Sequence, residues 1–382
     1  MDDDAGRLGG VTTTRGRIGW VTNLAAPYRR PVWADLARKA ELEVFLLENA
    51  DRFGRESSNR DPEWMAYDDA AYPVAEIPTF RVSVGERQVF VPRSAKGLPG
   101  HGLHALVLGG WESPAYWLSA LRARRAGARL VGFYESTLAS HAFRSGPVAR
   151  ARRSFFTRLD AVVVPGRASE RAVLAMGVDP SKVHVGFNPV DVQGIHAAAA
   201  LARQAQPSPG GTGHRFLYLG QLVGRKNVGS LITALWRLGE SDDSLTVAGT
   251  GHLTPQLIEL RDELGLRHRV TFIGAVRYEQ VPELLAQHET LVLPSNEEVW
   301  GLVVNEALAA GLHVVVTRAC GVAESVEGMD GVFVADVPDS SVLAHSMRRS
   351  RREWNGPIAS PEILAHTPEA FADVVLGAAF GE

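Results

Sequence analysis

The chain has 382 residues with 40 Lys and Arg against 43 Asp and Glu, which gives a formal net charge of -3. A balanced charge of this kind provides no basic surface for nucleic acid, so no nucleic-acid partner is predicted. Apolar residues make up 45% of the chain, enough for two cores, and the length favours two domains over one. The single cysteine, Cys320, excludes an intramolecular disulfide and is typical of a reducing compartment.

The first residues carry several acidic side chains and no apolar core of signal-peptide length. No run of about eighteen apolar residues occurs anywhere in the chain. The sequence therefore predicts a disordered tail over residues 1–15 and a cytoplasmic protein.

Short apolar segments alternate with helical stretches along the chain, which predicts an α/β architecture with parallel sheets. In the first half the predicted strands are 17–22, 42–47, 104–108, 128–134, 160–164 and 182–187. The predicted helices between them are 29–40, 114–126, 147–159 and 167–176. Residues 48–100 interrupt the alternation, and a connection this long is more often functional than idle.

A Pro- and Gly-rich stretch over 206–213 predicts a linker, and a second α/β series begins at His214. Its predicted strands are 215–219, 244–248, 269–273, 290–293, 313–317 and 331–334. Two doubly wound domains with a cleft between them follow from this order. In such sheets, ligands bind beyond the carboxyl ends of the strands, so the cleft is the expected site.

Glu306 is the most informative residue of the second half. It lies in a run of apolar and small residues that precedes the predicted strand 313–317. A run that is apolar nearly all round predicts a buried helix, and Glu is almost never fully buried without a partner. An ionised carboxylate there would be strongly unfavourable unless paired, so the sequence predicts a polar ligand at Glu306.

Two other clusters follow predicted strands of the second half. Gly220 precedes a loop with the adjacent cations Arg225 and Lys226 and then a helix start, which suits an anionic group. A solvated basic pair is an equally good interpretation of that loop alone. Gly274 would let a flat ring approach the backbone, although an ordinary strand-end turn is the better interpretation of that glycine alone.

Glu297 and Glu298 precede the helix that contains Glu306. The backbone amides of Trp300, Gly301 and Leu302 lie at the start of this helix, where an anion can bind. Interaction with the helix dipole, worth about 0.3–1 kcal/mol, explains the two carboxylates before the helix. It does not explain Glu306, which lies beyond the first turn.

Glu298 and Glu306 stand in the pattern Pro-Ser-x-x-Glu-x-Trp-Gly-Leu-Val-x-x-Glu-Ala-x-Ala-x-Gly over residues 294–311, followed by Gly321-Val322-Ala323-Glu324. Together with Arg225-Lys226-Asn227 and Phe272-x-Gly274, this pattern resembles the retaining GT-B glycosyltransferases of family GT4. The resemblance covers most of residues 214–330 in order and spacing. It implies a GT-B architecture, in which two Rossmann-like doubly wound domains face each other across a cleft.

The resemblance also implies domain limits and an activity. The N-terminal acceptor-side domain would span 16–190 and the C-terminal nucleotide-sugar-binding domain 191–365, with a helix over about 366–382 packing back onto the first. The implied reaction moves a sugar from a nucleotide-diphosphate sugar to an acceptor hydroxyl with retention of anomeric configuration. No metal and no cofactor other than this donor substrate is expected.

Site residues follow from motif position in the resemblance. Arg225 and Lys226 would neutralise the diphosphate, Glu306 would accept the ribose hydroxyls, and Glu298 would bind the transferred sugar. The residues implied in catalysis are Glu298, Arg225, Lys226 and Tyr134. Those implied in donor binding are Glu306, Trp300, Gly301, Leu302, Gly220, Gly274 and Arg277. On the acceptor side, where Thr22 to Arg30 resembles the opening of some of these enzymes, the implied residues are Asn23, Tyr28 and Glu135.

Two positions depart from the family pattern. Gln221 stands where relatives often have Arg, although Arg225 is available four residues on. Tyr134 stands where many carry His, so neither Tyr134 nor Glu135 receives a defined proton-transfer role. This departure leaves open a rival hypothesis, a catalytically impaired nucleotide-sugar-binding protein of the same fold. A dinucleotide-dependent oxidoreductase is disfavoured because the first strand lacks G-x-G-x-x-G.

A basic cluster precedes and includes the helix near 147–159, beside Phe155 and Phe156. Its members are Arg144, Arg150, Arg152, Arg153 and Arg158. A basic helix with aromatic residues can rest on anionic lipid, which would give peripheral contact at the inner membrane face. A solvated face in an Arg-rich protein is the favoured alternative.

Overall fold

The computed structural model describes residues 15–48, 70–84, 87–140, 143–205 and 213–382. The tail predicted over 1–15 and the linker predicted over 206–213 lie outside these residues, except for residues 15 and 213. Within the described chain, strands and helices alternate as the sequence predicts, and the α/β expectation is confirmed.

The first half forms a parallel sheet of seven strands in the order β3-β2-β1-β6-β7-β8-β9, with a separate antiparallel hairpin of β4 and β5. The strands of this half are β1 (Arg15–Thr22), β2 (Ala40–Leu46), β3 (Val74–Glu76), β4 (Thr79–Val84), β5 (Arg87–Pro92), β6 (Ala105–Leu108), β7 (Arg129–Phe133), β8 (Ala161–Val164) and β9 (Val183–Val185).

The second half forms a parallel sheet of six strands in the order β12-β11-β10-β13-β14-β15. Its strands are β10 (Arg215–Leu219), β11 (Ser244–Ala248), β12 (Val270–Gly274), β13 (Thr290–Leu293), β14 (His313–Thr317) and β15 (Val332–Ala335). Every residue of β14 is buried, as expected for a central parallel strand covered on both faces.

Helices cover both faces of the two sheets. In chain order they are α1 (Arg30–Lys39), α2 (Pro114–Arg125), α3 (Gly146–Thr157), α4 (Arg167–Ala175), α5 (Val192–Ala205), α6 (Val228–Leu238), α7 (Thr254–Glu263), α8 (Val281–Ala286), α9 (Leu302–Ala309), α10 (Ala323–Val326), α11 (Ser340–Glu353) and α12 (Pro368–Phe380). In the described part of the chain, none of them combines the length and apolar character needed to cross a membrane.

The last helix, α12, lies on the first sheet rather than the second. It packs beside α1, and Phe371 meets Phe133 of β7 edge to face with ring centroids 6.0 Å apart. Val375 and Leu376 of the same helix are buried in the core that also contains Trp20. The chain therefore crosses between the two sheets twice, near Asn188 and again before α12.

Part of the segment 48–100 contains strands that the sequence did not predict. β3 pairs with β2 at the edge of the first sheet, and β4 pairs with β5 from Thr79↔Pro92 to Val84↔Arg87. Phe80 and Val82 of β4 remain largely exposed, so this hairpin lacks the buried apolar face on which strand prediction depends. Residues 49–69 lie outside the described chain.

Candidate functional site

The two halves of the chain contact each other through loops and helices that follow strands of the two sheets. Asn305 of α9 donates from Nδ2 to the backbone carbonyl of Asn188, 2.6 Å away, where the chain crosses between the sheets. The ring of Trp300 lies against Gly166, the residue before α4. Arg171 of α4 and Glu324 of α10 form an ion pair across the same boundary. These contacts fix the loops of both domains around one cleft.

In the second domain, Lys226 and Glu298 come together 72 residues apart in sequence. Their side chains form an ion pair, and Nη1 of Arg225 lies 3.5 Å from the same Glu298 oxygen. Lys226 and Glu298 are nearly buried, whereas Arg225 is about half exposed. The two cations and the carboxylate predicted from the sequence therefore form one cluster.

Asn227 holds the basic loop in this position. It adopts a left-handed backbone conformation with φ 54°, and its Nδ2 donates to the carbonyls of Pro294 and Pro338 at 3.2 and 2.8 Å. The amide of Asn296 donates to the carbonyl of Arg225 at 2.8 Å. The loops after β10 and β13 are thus joined directly, which places Lys226 beside Glu298.

Cys320 supports Glu298 from the other side. Residues 298 and 320 form an isolated parallel bridge, and the amide of Gly321 donates to the Glu298 carbonyl at 3.0 Å. Burial raises the pKa of the Cys320 thiol to about 11, so it stays protonated at neutral pH. A buried, protonated thiol of this kind is unreactive.

Two glycines that the sequence analysis missed, Gly249 and Gly251, bring the strand ends together. The amide of Gly249 donates to the Gly274 carbonyl at 2.6 Å, and that of Gly220 donates to the Ala248 carbonyl at 3.0 Å. A Cβ on Gly249 would lie 1.8 Å from the Gly220 carbonyl oxygen, so no other residue fits there without a shift. A Gly-Thr-Gly sequence immediately after a predicted strand was the available signal.

Glu306 lies in α9, and its predicted burial in a helix is confirmed, since it is 8% exposed. Its carboxylate makes no hydrogen bond or ion pair with any residue that the structure describes. Burial raises its pKa from 4.5 to about 7. Burial, and after it the negative charges of Glu306 and Asp191, raise the pKa of Tyr278.

The start of α9 faces the same region. Gly301 precedes the helix with φ 104°, and no side chain caps the amides that follow it. Trp300 is buried, donates from Nε1 to Oδ1 of Asn305 at 3.3 Å, and meets Phe187 edge to face at 5.0 Å. Leu302 begins the helix. The first amides of α9 therefore remain open to an anionic group.

Gly274 and Arg277 lie on the exposed side of the cleft. A Cβ on Gly274 would meet no atom within 4 Å, which leaves open space beside the end of β12. Arg277 is exposed and begins the turn that leads to Tyr278. This edge has room for a flat ring against the backbone.

In the first domain, Glu135 follows β7 and is held by two donors. Nη2 of Arg29 and Nδ2 of Asn188 donate to its Oε1 at 2.8 and 3.0 Å. The Arg29 guanidinium carbon lies 5.3 Å from the centre of the Tyr28 ring. Oδ1 of Asn23 accepts from Tyr116 at 2.7 Å.

Tyr134 is part of the apolar core rather than the cleft surface. It is 4% exposed, and its ring meets Phe156 edge to face with centroids 4.7 Å apart. Burial raises the pKa of its hydroxyl to about 12. A protonated, buried hydroxyl is poorly placed for proton transfer, so the catalytic role predicted for Tyr134 stays an untested prediction that its burial opposes.

The basic helix α3 also differs from the expectation. Phe155 and Phe156, predicted to accompany the arginines at a lipid surface, are buried in the core of the first domain. The apolar side chains that do reach the surface nearby are Leu138, Phe143 and Val148. Across the residues that the structure describes, no three His, Cys, Asp or Glu side chains come together as metal ligands. Independence from metal stays a prediction.

Two family models of glycosyltransferases together match most of the chain. Residues 203–353 match the model for glycosyl transferases group 1, and residues 36–193 match glycosyltransferase family 4. An uncharacterized glycosyltransferase of Methanocaldococcus jannaschii, MJ1607, is 33% identical over 141 residues, which are 36% of each chain. The lipopolysaccharide glucosyltransferase WaaG of Escherichia coli is 31% identical over 173 residues, 42% of this chain and 46% of its own. The matched segments therefore span less than half of these relatives.

Comparison with solved structures extends over the whole fold. HepE of Anabaena, solved in complex with UDP, superimposes with a TM-score of 0.69 over 95% of each chain, at 19% sequence identity. The galactosyltransferase WaaB of the lipopolysaccharide outer core gives 0.68 over 96% of this chain and 99% of its own, at 15% identity. The chain thus matches glycosyltransferase family 4 in its first half and glycosyl transferases group 1 in its second, and it has the two-sheet fold of the GT-B glycosyltransferases.

Proposed function

We propose that this protein is a glycosyltransferase that moves a sugar from a nucleotide-diphosphate sugar to an acceptor hydroxyl. The observation that carries the proposal is Glu306, a buried carboxylate without a partner in the described chain. It lies on the helix that follows Gly301, where a Cβ would come 3.6 Å from Cγ of Glu298. The two family matches support the same conclusion, and so does the structural likeness to HepE, a protein solved in complex with UDP.

Each charged side chain of the candidate site in the second domain has a role in this reaction. Lys226, with Arg225 at the rim, faces the diphosphate, and the first amides of α9 add donors. Glu306 accepts the ribose hydroxyls, which gives its carboxylate the hydrogen bonds that the protein does not provide. Glu298, oriented by Lys226, accepts hydroxyls of the transferred sugar.

Catalysis in this proposal is electrostatic. As the bond to the sugar breaks, negative charge develops on the diphosphate and the sugar gains oxocarbenium character. Lys226 and Arg225 stabilise that negative charge, and the acceptor hydroxyl attacks from the face that the diphosphate leaves. Retention of configuration follows from that front-side attack, and no side-chain nucleophile takes part.

Glu135 is the group of the first domain that we assign to the acceptor. Its Oε1 is used by Arg29 and Asn188, and its side chain is 32% exposed, so Oε2 is available to a hydroxyl in the cleft. Asn23 and Tyr28 contribute to the same wall.

A thermal-shift screen of nucleotide sugars tests donor binding, because a ligand that binds only the folded state raises the melting temperature. The hit is then incubated alone, and the released nucleoside diphosphate is measured. Slow donor hydrolysis supports the transferase. Binding without any turnover, with every acceptor supplied, favours the rival donor-binding protein. Proton NMR of the first sugar released distinguishes retention from inversion of the anomeric centre.

We further propose a cytoplasmic location with peripheral contact at the inner membrane face. The support is the exposed set Leu138, Phe143 and Val148 beside the arginines of α3. Flotation with phosphatidylcholine vesicles that do or do not contain phosphatidylglycerol tests the contact. Failure of the anionic vesicles to retain the protein at moderate salt removes it.

A further inference from the structure

A cavity outside the donor site lies between α3 and α4 of the first domain. Its volume is about 680 Å³. One wall is the start of α3 with the segment before it, and the other is the apolar end of α4 with Ala172, Ala175 and Met176. Four arginine side chains line it: Arg144, Arg150, Arg152 and Arg153.

Three of the four arginines have no carboxylate partner among the residues that the structure describes. The sequence from Ser136 to Leu159 contains no Asp or Glu. Among the described residues, Arg144, Arg150 and Arg153 form no ion pair, unlike Arg124 and Arg171 close by, which pair with Asp160 and Glu324. A general excess of arginine predicts scattered, paired side chains, so it does not account for several unpaired ones around one hollow.

Two of the arginines contact other parts of the first domain. Arg152 is buried and donates from Nη2 to the Phe143 carbonyl at 3.0 Å. Arg153 lies over Gly177, where a Cβ would come within 3.1 Å of its Nη2. The guanidinium of Arg152 is therefore already fixed in the wall, which lowers the entropic cost of its contact with a ligand, whereas Arg144, Arg150 and Arg153 are exposed and can turn toward the ligand.

Helix α3 adds to the positive potential. It begins at Gly146, and Ser145 before it makes no side-chain cap, so its first amides lack that partner. Forked guanidinium donors together with open amides suit the oxygens of a phosphate group.

The cavity adjoins the cleft. Leu138 and Ala139 in its wall follow Glu135 by only three and four residues. Thr137 between them is buried, and its Cγ2 lies 3.3 Å from the point where a Cβ on Gly321 would be. Gly321 in turn donates to Glu298. A ligand anchored in the cavity is therefore beside the loops that carry Glu135 and Glu298.

We propose that this cavity binds a phosphate group of the acceptor, so that the protein glycosylates a phosphorylated molecule. The proposal rests on the proposed function for the identity of the ligand as acceptor. The phosphate belongs either to a soluble phosphate ester or to a lipid headgroup, and both present the same oxygens to the arginines.

Inorganic pyrophosphate is the probe, and the Lys226→Ala protein is the background, since the donor site also attracts diphosphate. Calorimetric titration compares this background with the same protein carrying Arg150→Ala and Arg153→Ala. We expect affinity to fall at least about tenfold, because two charge-assisted contacts are lost. The matched control is Arg158→Ala in the same background, which removes an exposed arginine of α3's end that does not line the cavity, and it should stay within about twofold of the background.

A second variant guards against misfolding of the double mutant. Ala175→Glu adds a carboxylate to the cavity wall at an exposed position without removing any arginine, and it should weaken pyrophosphate binding as well. No pyrophosphate binding to the background, or equal affinity in all variants, overturns the proposal. Absence of donor turnover in the wild-type protein, with pyrophosphate binding still dependent on Arg150 and Arg153, would instead count against the proposed function alone.

Once pyrophosphate binding has been shown to depend on Arg150 and Arg153, vesicles identify the source of the phosphate. Phosphatidylcholine vesicles with and without phosphatidic acid are added as competitors. Competition by the phosphatidic acid vesicles alone assigns the cavity to a lipid headgroup. Undiminished pyrophosphate binding in their presence assigns it to a soluble phosphate ester.

Discussion

Asn305 donates to the Asn188 carbonyl over 2.6 Å, and through this bond the helix that carries Glu306 is fixed to the segment that holds Glu135. The Asn188 side chain donates to Glu135, so one residue contacts both sides of the cleft. The spacing between Glu306, proposed to bind the ribose, and Glu135, proposed to bind the acceptor, is therefore set by two asparagines.

Asn305→Ala should lower both stability and donor turnover. Asn305 is fully buried, and its loss leaves the Asn188 carbonyl and Nε1 of Trp300 without partners. We expect a loss of about 2 kcal/mol in the free energy of unfolding, measured with urea. The control is Asn296→Ala, an exposed asparagine in the same domain, which should change stability by less than about 0.5 kcal/mol. Equal effects of the two substitutions would contradict the structural role of Asn305.

Glu306 predicts a pH dependence of stability. Its pKa in the folded protein is about 7, above the ordinary 4.5, so the folded state holds a proton between these values that the unfolded state releases. The contribution of Glu306 to the free energy of unfolding is fully present below about pH 4.5. It falls by an amount on the order of 3 kcal/mol as the pH rises to about 7. Glu306→Gln, which keeps the neutral form, should therefore stabilise the free protein at about pH 8 but not at about pH 5.

Glu306 also predicts a pH dependence of donor binding. The ribose hydroxyls donate to the carboxylate, so the ionised form binds better and affinity should rise as pH passes through about 7. Calorimetric titration of the donor across this range should show the rise in the wild type and not in Glu306→Gln. Glu306→Ala should bind the nucleotide more weakly at every pH. Unchanged affinity for both nucleotide and donor would remove Glu306 from the ribose.

Gly166 tests the contact between the domains. A Cβ at this position would lie 2.7 Å from the Trp300 ring and 2.8 Å from Oγ of Ser325, both in the second domain. Gly166→Ala should therefore displace the second domain and lower turnover. Gly127→Ala is the matched control, because Gly127 also has a positive φ of 86° but no atom within 4 Å of the added Cβ. It should cost about 1 kcal/mol in stability and leave turnover unchanged. Similar turnover in both variants would mean that this contact does not position the site.

Arg29 orients the side chain of Glu135. The guanidinium is buried, 4.4 Å from the centre of the Phe133 ring, and donates to Glu135. Arg29→Ala should cost about 2 kcal/mol, because Glu135 keeps its charge and loses its cation. Arg17→Ala breaks an exposed pair with Glu43 and should cost less than about 1 kcal/mol in the same urea experiment. A smaller loss at Arg29 than at Arg17 would argue against this role.

The sequence predicted the strands correctly where buried residues form a continuous apolar run. Strands such as β14 are continuous apolar runs between turn residues, so their position could be predicted to within a residue or two. The hairpin of β4 and β5 was missed because its exposed Phe80 and Val82 belong to neither a buried run nor a polar face. Its composition resembled that of a loop.

The site was predictable only in part. The sequence alone identified Glu306 as a candidate site residue, because a charged side chain in an apolar helix is energetically unusual. The bonds of Asn305 and Asn188 join residues 117 positions apart, and no local pattern reports such a pairing. The inward direction of Tyr134 likewise depends on Phe156 packing against it from α3, which is a tertiary effect.

Release of nucleoside diphosphate from a panel of nucleotide sugars, compared between the wild type and Lys226→Ala, is the most direct test of glycosyl transfer at this site. Lys226 is the nearly buried cation paired with Glu298, whereas Lys96, replaced by Ala as the control, is an exposed lysine of the other domain. The proposal predicts that the wild type and Lys96→Ala consume one donor at the same rate, and that Lys226→Ala is slower by at least about tenfold. Equal rates in all three proteins, or no release from any donor that binds, would contradict it.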